Sequence, residues 1–511
     1  MFKRTFLILI IILTSCQKKH INSLKINIVN EITCLDPRKV RDLNSISVMK
    51  MLFEGLTRFS KEGNIELALA KDVKISKDLK KYIFHLKKSY WTDGQKLTSY
   101  DFAYSLKKAL SPSFSSTMRY KLFIIKNAKK AFEKKVELEK IGIATPDPYT
   151  LIIELERPSP YFLELLTMPI FFPIAKHIDE KNKEWIENES IYVGNGPFKI
   201  KKWKHQNKLI LVKNEKYWDN KKVKLKKIIL FMVSQETELN MFEAGQLDWA
   251  GSPFSNLPLG ALENLFKSKI FYKKPFLGTS FLRINVDWVK KFFPIKETQI
   301  IFRKILSNTI NRESISKHIL LNSQPPANSF LPPFTGILYH EKKIDKFLKI
   351  PKNMNIEIIY VHSDRNHLIA QEIQRAWEDN LKIKIILKPL ESKIFFNKLY
   401  SSSYQIALGS WIADYNDPLN FLEVFKFKDN GTNNTCWENI KYINFLNLAD
   451  QCIDLEKRKK FIIKAQEILL EEKPIIPLYY LNMCFLKRKN VKDVIISQLG
   501  YADFRWAYLE N

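Results

Sequence analysis

Strand and helix patterns alternate through the C-terminal half of this chain, which makes it an α/β protein. Residues 356–361, 383–387 and 405–408 are short apolar runs with strand character. Residues 368–377 and 393–399, between them, carry helical periodicity, so the series reads as a parallel βαβ sheet. The chain has 511 residues, 45% of them hydrophobic, enough for two to four domains with their own cores. A third observation concerns Gly409-Ser410-Trp411-Ile412-Ala413-Asp414-Tyr415-Asn416-Asp417-Pro418, which follows the last of these strands. In open α/β sheets that is where ligands bind.

Taken in order, the chain opens on a leader. Lys3 and Arg4 form a basic end, and residues 6–13 are an apolar stretch too short to span a bilayer. Leu13-Thr14-Ser15-Cys16 follows, then a polar spacer to Ser23. Residues 24–29 alternate as a strand. Leu35-Asp36-Pro37, Phe53-Glu54-Gly55-Leu56 and a Gly63-Asn64 turn come next. Residues 82–86 are a strand, and Trp91-Thr92-Asp93-Gly94 is a turn. Thr98 and Asp101 have capping-box spacing, with Phe102, Leu106, Ala109 and Leu110 on one face of the helix behind them.

Residues 151–156 read as a strand. Gly194-Asn195-Gly196-Pro197-Phe198 has no lysine–serine pair behind it, and Pro197 has no N–H. It is therefore a tight Asn-Gly turn into a strand and not a phosphate loop. Tyr217-Trp218-Asp219 and Glu243-Ala244-Gly245-Gln246-Leu247-Asp248 follow. Residues 276–285 are a crossover strand, and 301–315 an amphipathic helix. His362, Ser363, Asp364 and His367 suggest a metal, but Ser363 or Asp364 capping a helix is the simpler account. Residues 461–470 are helical, and 474–480 make a return crossover.

The chemistry concentrates in the 409–418 stretch. Asp414 supplies a charge and Trp411, three residues before, an apolar or cation–π wall, a pair suited to a cation. An Asx-turn with a packed tryptophan accounts for the same residues.

These landmarks together resemble the bacterial extracellular solute-binding proteins of family 5, the oligopeptide-binding receptors of peptide ABC transporters. Trp411-Ile412-Ala413-Asp414-Tyr415-Asn416-Asp417-Pro418 is similar to that family's W-x-A-D-Y-x-D-P. Cys34-Leu35-Asp36-Pro37, Phe53-Glu54-Gly55-Leu56, residues 91–102, 194–198, 214–219 and 243–248, and Arg303 with Ile310-Asn311-Arg312, match its other motifs in order. Leu13-Thr14-Ser15-Cys16 resembles a lipobox, which implies a signal peptide at 1–15 and diacylation of Cys16.

The resemblance implies a two-lobed periplasmic-binding-protein fold of type II, with a third subdomain. One lobe would comprise 24–58, 185–277 and 473–511, the other 278–472, with 59–184 as the additional subdomain and 16–23 as a tether. It implies a receptor that closes on an extended oligopeptide and passes it to membrane permease subunits, working as a monomer in the periplasm-facing envelope. Asp414 would hold the peptide's α-ammonium. Trp411, Ile412, Tyr415 and, on a looser match, Tyr480 would line the site. Familiar members carry an arginine just before the tryptophan motif; Leu408 stands there in this chain, so how a peptide carboxylate is met stays open. Dipeptides, cell-wall peptides and nickel chelates are the alternative cargoes.

Other classes fit less well. The net charge of +29 suits a polyanion or an anionic membrane, but the lysines are spread along the whole chain, as on a lysine-rich surface. No nucleic-acid partner is expected. The sequence has no C-x-x-C, H-E-x-x-H, G-x-S-x-G or Walker loop, so no metal, cofactor or catalytic residue is expected. Cys436 and Cys452 are close enough for a small disulfide loop, though spacing alone does not establish one.

Overall fold

A computed structural model describes residues 23–510 apart from 117, 338, 340–347, 352–353 and 430. The leader and Cys16 therefore lie outside the described residues. A ten-stranded mixed sheet runs through the molecule. Its first half is built on Ser23–Asn27, which pairs in parallel with Lys227–Phe231 and with Trp249–Gly251. Phe198–Lys204 and Lys208–Lys213 extend this half as an antiparallel hairpin. Its second half holds Asn355–Val361, parallel to both Lys384–Leu390 and Ile406–Ile412. This is the βαβ unit that the alternation predicts. Helix Asp364–Leu381, capped by Ser363, and helix Ser392–Tyr400 make its crossovers. His362 and His367 flank that cap, and no group among the described residues is placed to hold a metal.

Two long strands join the halves. Phe271–Ile284 and Ile475–Lys487 run antiparallel to each other, with irregular register between Pro275 and Thr279. Residues 276–278 are where a crossing is expected. On the return strand the irregularities fall opposite, at Tyr480 to Asn482 and between Pro477 and Tyr479. Proline has no N–H to give a ladder, which is one reason the pairing breaks at Pro275.

A separate four-stranded antiparallel sheet is formed by Ala70–Ile75, Lys81–Leu86, Thr150–Glu154 and Ile143–Asp147. Helix Ser99–Leu110 packs beside it, opened by the Thr98 N–H bonding to Asp101 Oδ2 at 2.8 Å, as its spacing predicts. Apolar packing divides the chain less evenly than the motifs do. One core runs from Leu24 through Phe102 and Phe162 to Leu419, Tyr442 and Leu469. A second, from Leu282 to Leu408 with Ile476 and Leu478, fills the βαβ unit. Helices Pro418–Leu422, Ile440–Gln451 and Leu455–Glu472 thus pack into the larger core, although they follow the βαβ unit in sequence.

Several family landmarks meet at one carboxylate. Glu54 is 1% exposed and accepts bonds from Tyr217 Oη, Trp218 Nε1, Arg58 Nη1 and Arg505 Nη1. Its backbone N–H and C=O are both bonded by the side-chain amide of Asn195. The glycines beside Asn195 let two backbones meet: a Cβ on Gly196 would sit 2.5 Å from the Leu52 carbonyl carbon. Residues 194–196 are thus a close-approach site, which corrects the tight-turn reading. Arg38, 1% exposed, ties Asp36 to Asp179 by paired bonds of 2.8–2.9 Å, which anchors the four-stranded region. All four described cysteines are free, so Cys436 and Cys452 form no disulfide.

Candidate ligand-binding site

The strand expected at 405–408 continues to Ile412, because its partner Phe271–Ile284 is long enough to pair with it from Ile284–Ile406 to Gly278–Ile412. Trp411 and Ile412 are therefore strand residues. The Asn285 N–H bonds to the Gln405 carbonyl and the Ala413 N–H to that of Leu277. These two bonds set the hydrogen-bonded pairs at the odd-numbered residues of this strand. The N–H and C=O of Ser410 and Ile412 then point to the opposite edge. There Asn355–Val361 pairs only with Ile406 and Ala407, and no other described strand takes its place. The result is a short free strand edge at the C-terminal end of the parallel strands, finishing two residues before Asp414.

The loop beyond is held in place from several sides. Asp417 caps helix Pro418–Leu422 through the Leu419 N–H and pairs with buried Arg458 at 2.8 Å. Asn420 Oδ1 accepts the Asp414 N–H at 3.0 Å. The Tyr415 ring is 6% exposed and stacks on Tyr161 with centroids 5.0 Å apart, so this ring holds the loop in place. Trp411 is half-buried, and Ile412 is exposed. Thr279 is opposite Trp411 on one side and Tyr480 on the other, which places all three on one face of the sheet. Tyr480 is half-buried and bonds through its N–H to the Pro325 carbonyl.

Asp414 has neighbours that sequence reasoning missed. Its Oδ2 pairs with Lys121 Nζ at 2.6 Å and accepts the Tyr120 hydroxyl at 3.2 Å. Both belong to the turn Arg119–Ile124, in the stretch expected to form the additional subdomain. The Asn416 N–H donates to Glu164 at 2.6 Å, a second bond between the same two regions. Burial, with Asp417 nearby, pushes the Glu164 carboxyl up to about 7, against the pull of that N–H. Arg157 adds a 2.8 Å pair with Asp450. No local pattern marks Lys121 among the 83 lysines and arginines; only the fold brings it to Asp414.

Arg283 stands under the motif from the neighbouring strand. It is 6% exposed, its guanidinium carbon lies 4.3 Å from the Phe281 ring centroid, and no described residue accepts a hydrogen bond from it. Gly409 makes room for it, since a Cβ there would lie 2.6 Å from Nη1. Burial pushes its pKa down to about 10, which leaves it charged at neutral pH. An arginine is thus present beside the motif, although Leu408 occupies the expected position.

Two cavities flank the loop. One of about 370 Å³ is lined by Tyr120, Lys121, Arg157, Tyr161, Tyr415 and Glu423. The other, about 500 Å³, lies between Phe59, Glu164, Lys274, Leu277, Asn416 and Leu499, beside the irregular stretch of the long strands. The arrangement offers strand pairing, an aromatic wall and the Asp414 carboxylate.

Residues 64–433 match the family of bacterial extracellular solute-binding proteins, family 5. The chain belongs to this family. It is 36% identical to the oligopeptide-binding protein OppA of Bacillus subtilis, over 97% of this chain and 94% of that protein. Its structure matches the murein tripeptide binding protein MppA of Escherichia coli with a TM-score of 0.80 at 26% identity, covering 96% and 98% of the two chains. A periplasmic oligopeptide-binding protein of Borrelia burgdorferi matches with a TM-score of 0.79 at 27% identity, covering 95% and 99%. As a family 5 protein the chain is an extracellular solute-binding protein, with the mixed α/β architecture that the resemblance implies. No helix among the described residues is long and apolar enough to cross a membrane.

Proposed function

We propose that this family 5 protein is a lipid-anchored receptor that captures oligopeptides and hands them to the permease subunits of an ABC importer. The observation that carries the reading is the free edge at Ser410 and Ile412, with Asp414 just beyond it. An extended peptide adds to such an edge as one more strand, and backbone bonds then supply affinity with little dependence on side chains. Asp414 anchors the amino end, while Trp411, Ile412 and Tyr480 border the ligand's side chains. The names carried by the similar proteins from B. subtilis and B. burgdorferi support this cargo. The likeness to MppA and the departure at Leu408 support cell-wall peptides as a second reading.

The lobes we infer are those implied by the motifs, 24–58 with 185–277 and 473–511, and 278–472, with 59–184 as an additional subdomain. The irregular register at Pro275 to Thr279 is the natural hinge between them. Calorimetry with a tetrapeptide and its singly N-methylated forms tests the strand-pairing mode. Each methyl group that removes a bonded N–H should weaken binding about 3–10-fold, the value of one backbone bond. Uniform affinity across the series, or no binding of any short peptide, would defeat the reading.

Anchoring rests on Lys3, Arg4, the apolar stretch 6–13 and Leu13-Thr14-Ser15-Cys16. Cys16→Ala should accumulate as an unprocessed precursor that takes up no palmitate. Labelling of that variant at the wild-type level would refute the anchor.

A further inference from the structure

The carboxylate assigned to the peptide's amino end already holds a cation. Lys121 Nζ lies 2.6 Å from Asp414 Oδ2, with the lysine side chain 8% exposed and the aspartate 28%. The ammonium also faces the Tyr120 and Tyr415 rings, 4.7 and 4.8 Å from their centroids. The protein thus holds it through one carboxylate oxygen and two aromatic rings. Tyr120 Oη donates to the same oxygen, at 3.2 Å. Asp414 Oδ1 accepts no bond from any described residue, so it is the oxygen left for a ligand.

We propose that Lys121 sets the selectivity of this site for the amino end of its ligand. Its ammonium is a resident cation on Asp414, so the receptor takes peptides with an uncharged, N-acylated amino end nearly as well as those with a free amine. The inference rests on the peptide reading above. Two ammonium groups on one carboxylate repel each other, and because all three charges lie within a few ångströms this repulsion offsets a large part, about half, of the attraction each feels for it. A free α-ammonium at Oδ1 therefore gains little over a neutral N–H donor at the same oxygen. Displacing Lys121 does not recover the gain, since its ammonium would then lose its carboxylate while still buried. Without Lys121 the same carboxylate would become a strong and selective amine anchor.

The test uses tri-, tetra- and penta-alanine, each with a free and an N-acetylated amino end, titrated by calorimetry into wild type, Lys121→Met and Lys121→Arg. The quantity read is the ratio of the two Kd values for each length. Any effect of the substitution on folding or lobe closure is common to both forms and cancels in that ratio. Wild type should prefer the free amine by less than tenfold. Lys121→Met should raise that preference at least tenfold further, and Lys121→Arg, which keeps the charge, should stay near wild type. An unchanged ratio in Lys121→Met, or a hundredfold preference already in wild type, overturns the inference and leaves the peptide reading intact. No binding of any of the six probes to wild type overturns the peptide reading and this inference with it.

Discussion

Glu54→Ala should lower the stability of the folded protein by about 3–5 kcal/mol, as removal of one partner from a buried charge pair does. Glu54 is 1% exposed, and its carboxylate accepts four side-chain donors. Without it, Arg505 keeps Asp503, and Arg58 keeps Glu66 and Asp219, but Tyr217 and Trp218 lose their acceptor. Urea unfolding reads the loss; a shift under about 1 kcal/mol would mean that the cluster relaxes around the gap.

The pH dependence has a definite sign. Burial alone would raise the Glu54 pKa, but Arg505 and Arg58, with bonds from Trp218 and Tyr217, hold it below the usual carboxylate value. A depressed folded pKa gives stability that is present above the unfolded value, near 4.5 here, and is lost as pH falls through the folded one. Wild type should therefore weaken below about pH 4, and Glu54→Gln should show a flatter profile over that range.

Asp414→Ala should reverse the preference between free and N-acetylated peptides. The substitution removes the only described carboxylate paired with Lys121 and leaves a buried ammonium facing the ligand's amino end. A free amine is then repelled, and an acetylated end is not. Affinity for the free form should drop by roughly one to two decades, or about 1.4–2.8 kcal/mol, while the acetylated form, which loses only a neutral N–H bond, should lose less than about tenfold. The stranded ammonium should also lower stability, by about 1–3 kcal/mol. Adding Lys121→Met to Asp414→Ala should recover most of that loss, because neither charge is then left without its partner. If Asp414→Ala binds both peptides as wild type does, Asp414 is a turn residue with no ligand.

Element types and family membership were legible in the chain because their causes are local. Periodicity of 2 and 3.6 marks the strands and helices of the βαβ unit, and Ser363 and Thr98 signal helix starts by caps that reach only three residues ahead. Asp417 and Pro418 likewise announce the helix that ends the motif. Motif order carried the family, which then supplied the architecture. The clustering of the landmarks was not legible. Phe53-Glu54-Gly55-Leu56, Asn195 and Tyr217-Trp218-Asp219 come together at Glu54 only through tertiary contact. Ladder length was hidden too: Trp411 and Ile412 extend their strand because a distant partner is long enough to pair with them. Asp414 stood out as a charge beside an aromatic ring, a local pattern. Lys121, Glu164 and Arg283 did not, because a pairing between residues over a hundred positions apart leaves no trace in spacing. Asp414, the proposed amine anchor, was therefore legible in the sequence, but its pairing with Lys121 was decided by tertiary contact between the turn Arg119–Ile124 and the end of a strand.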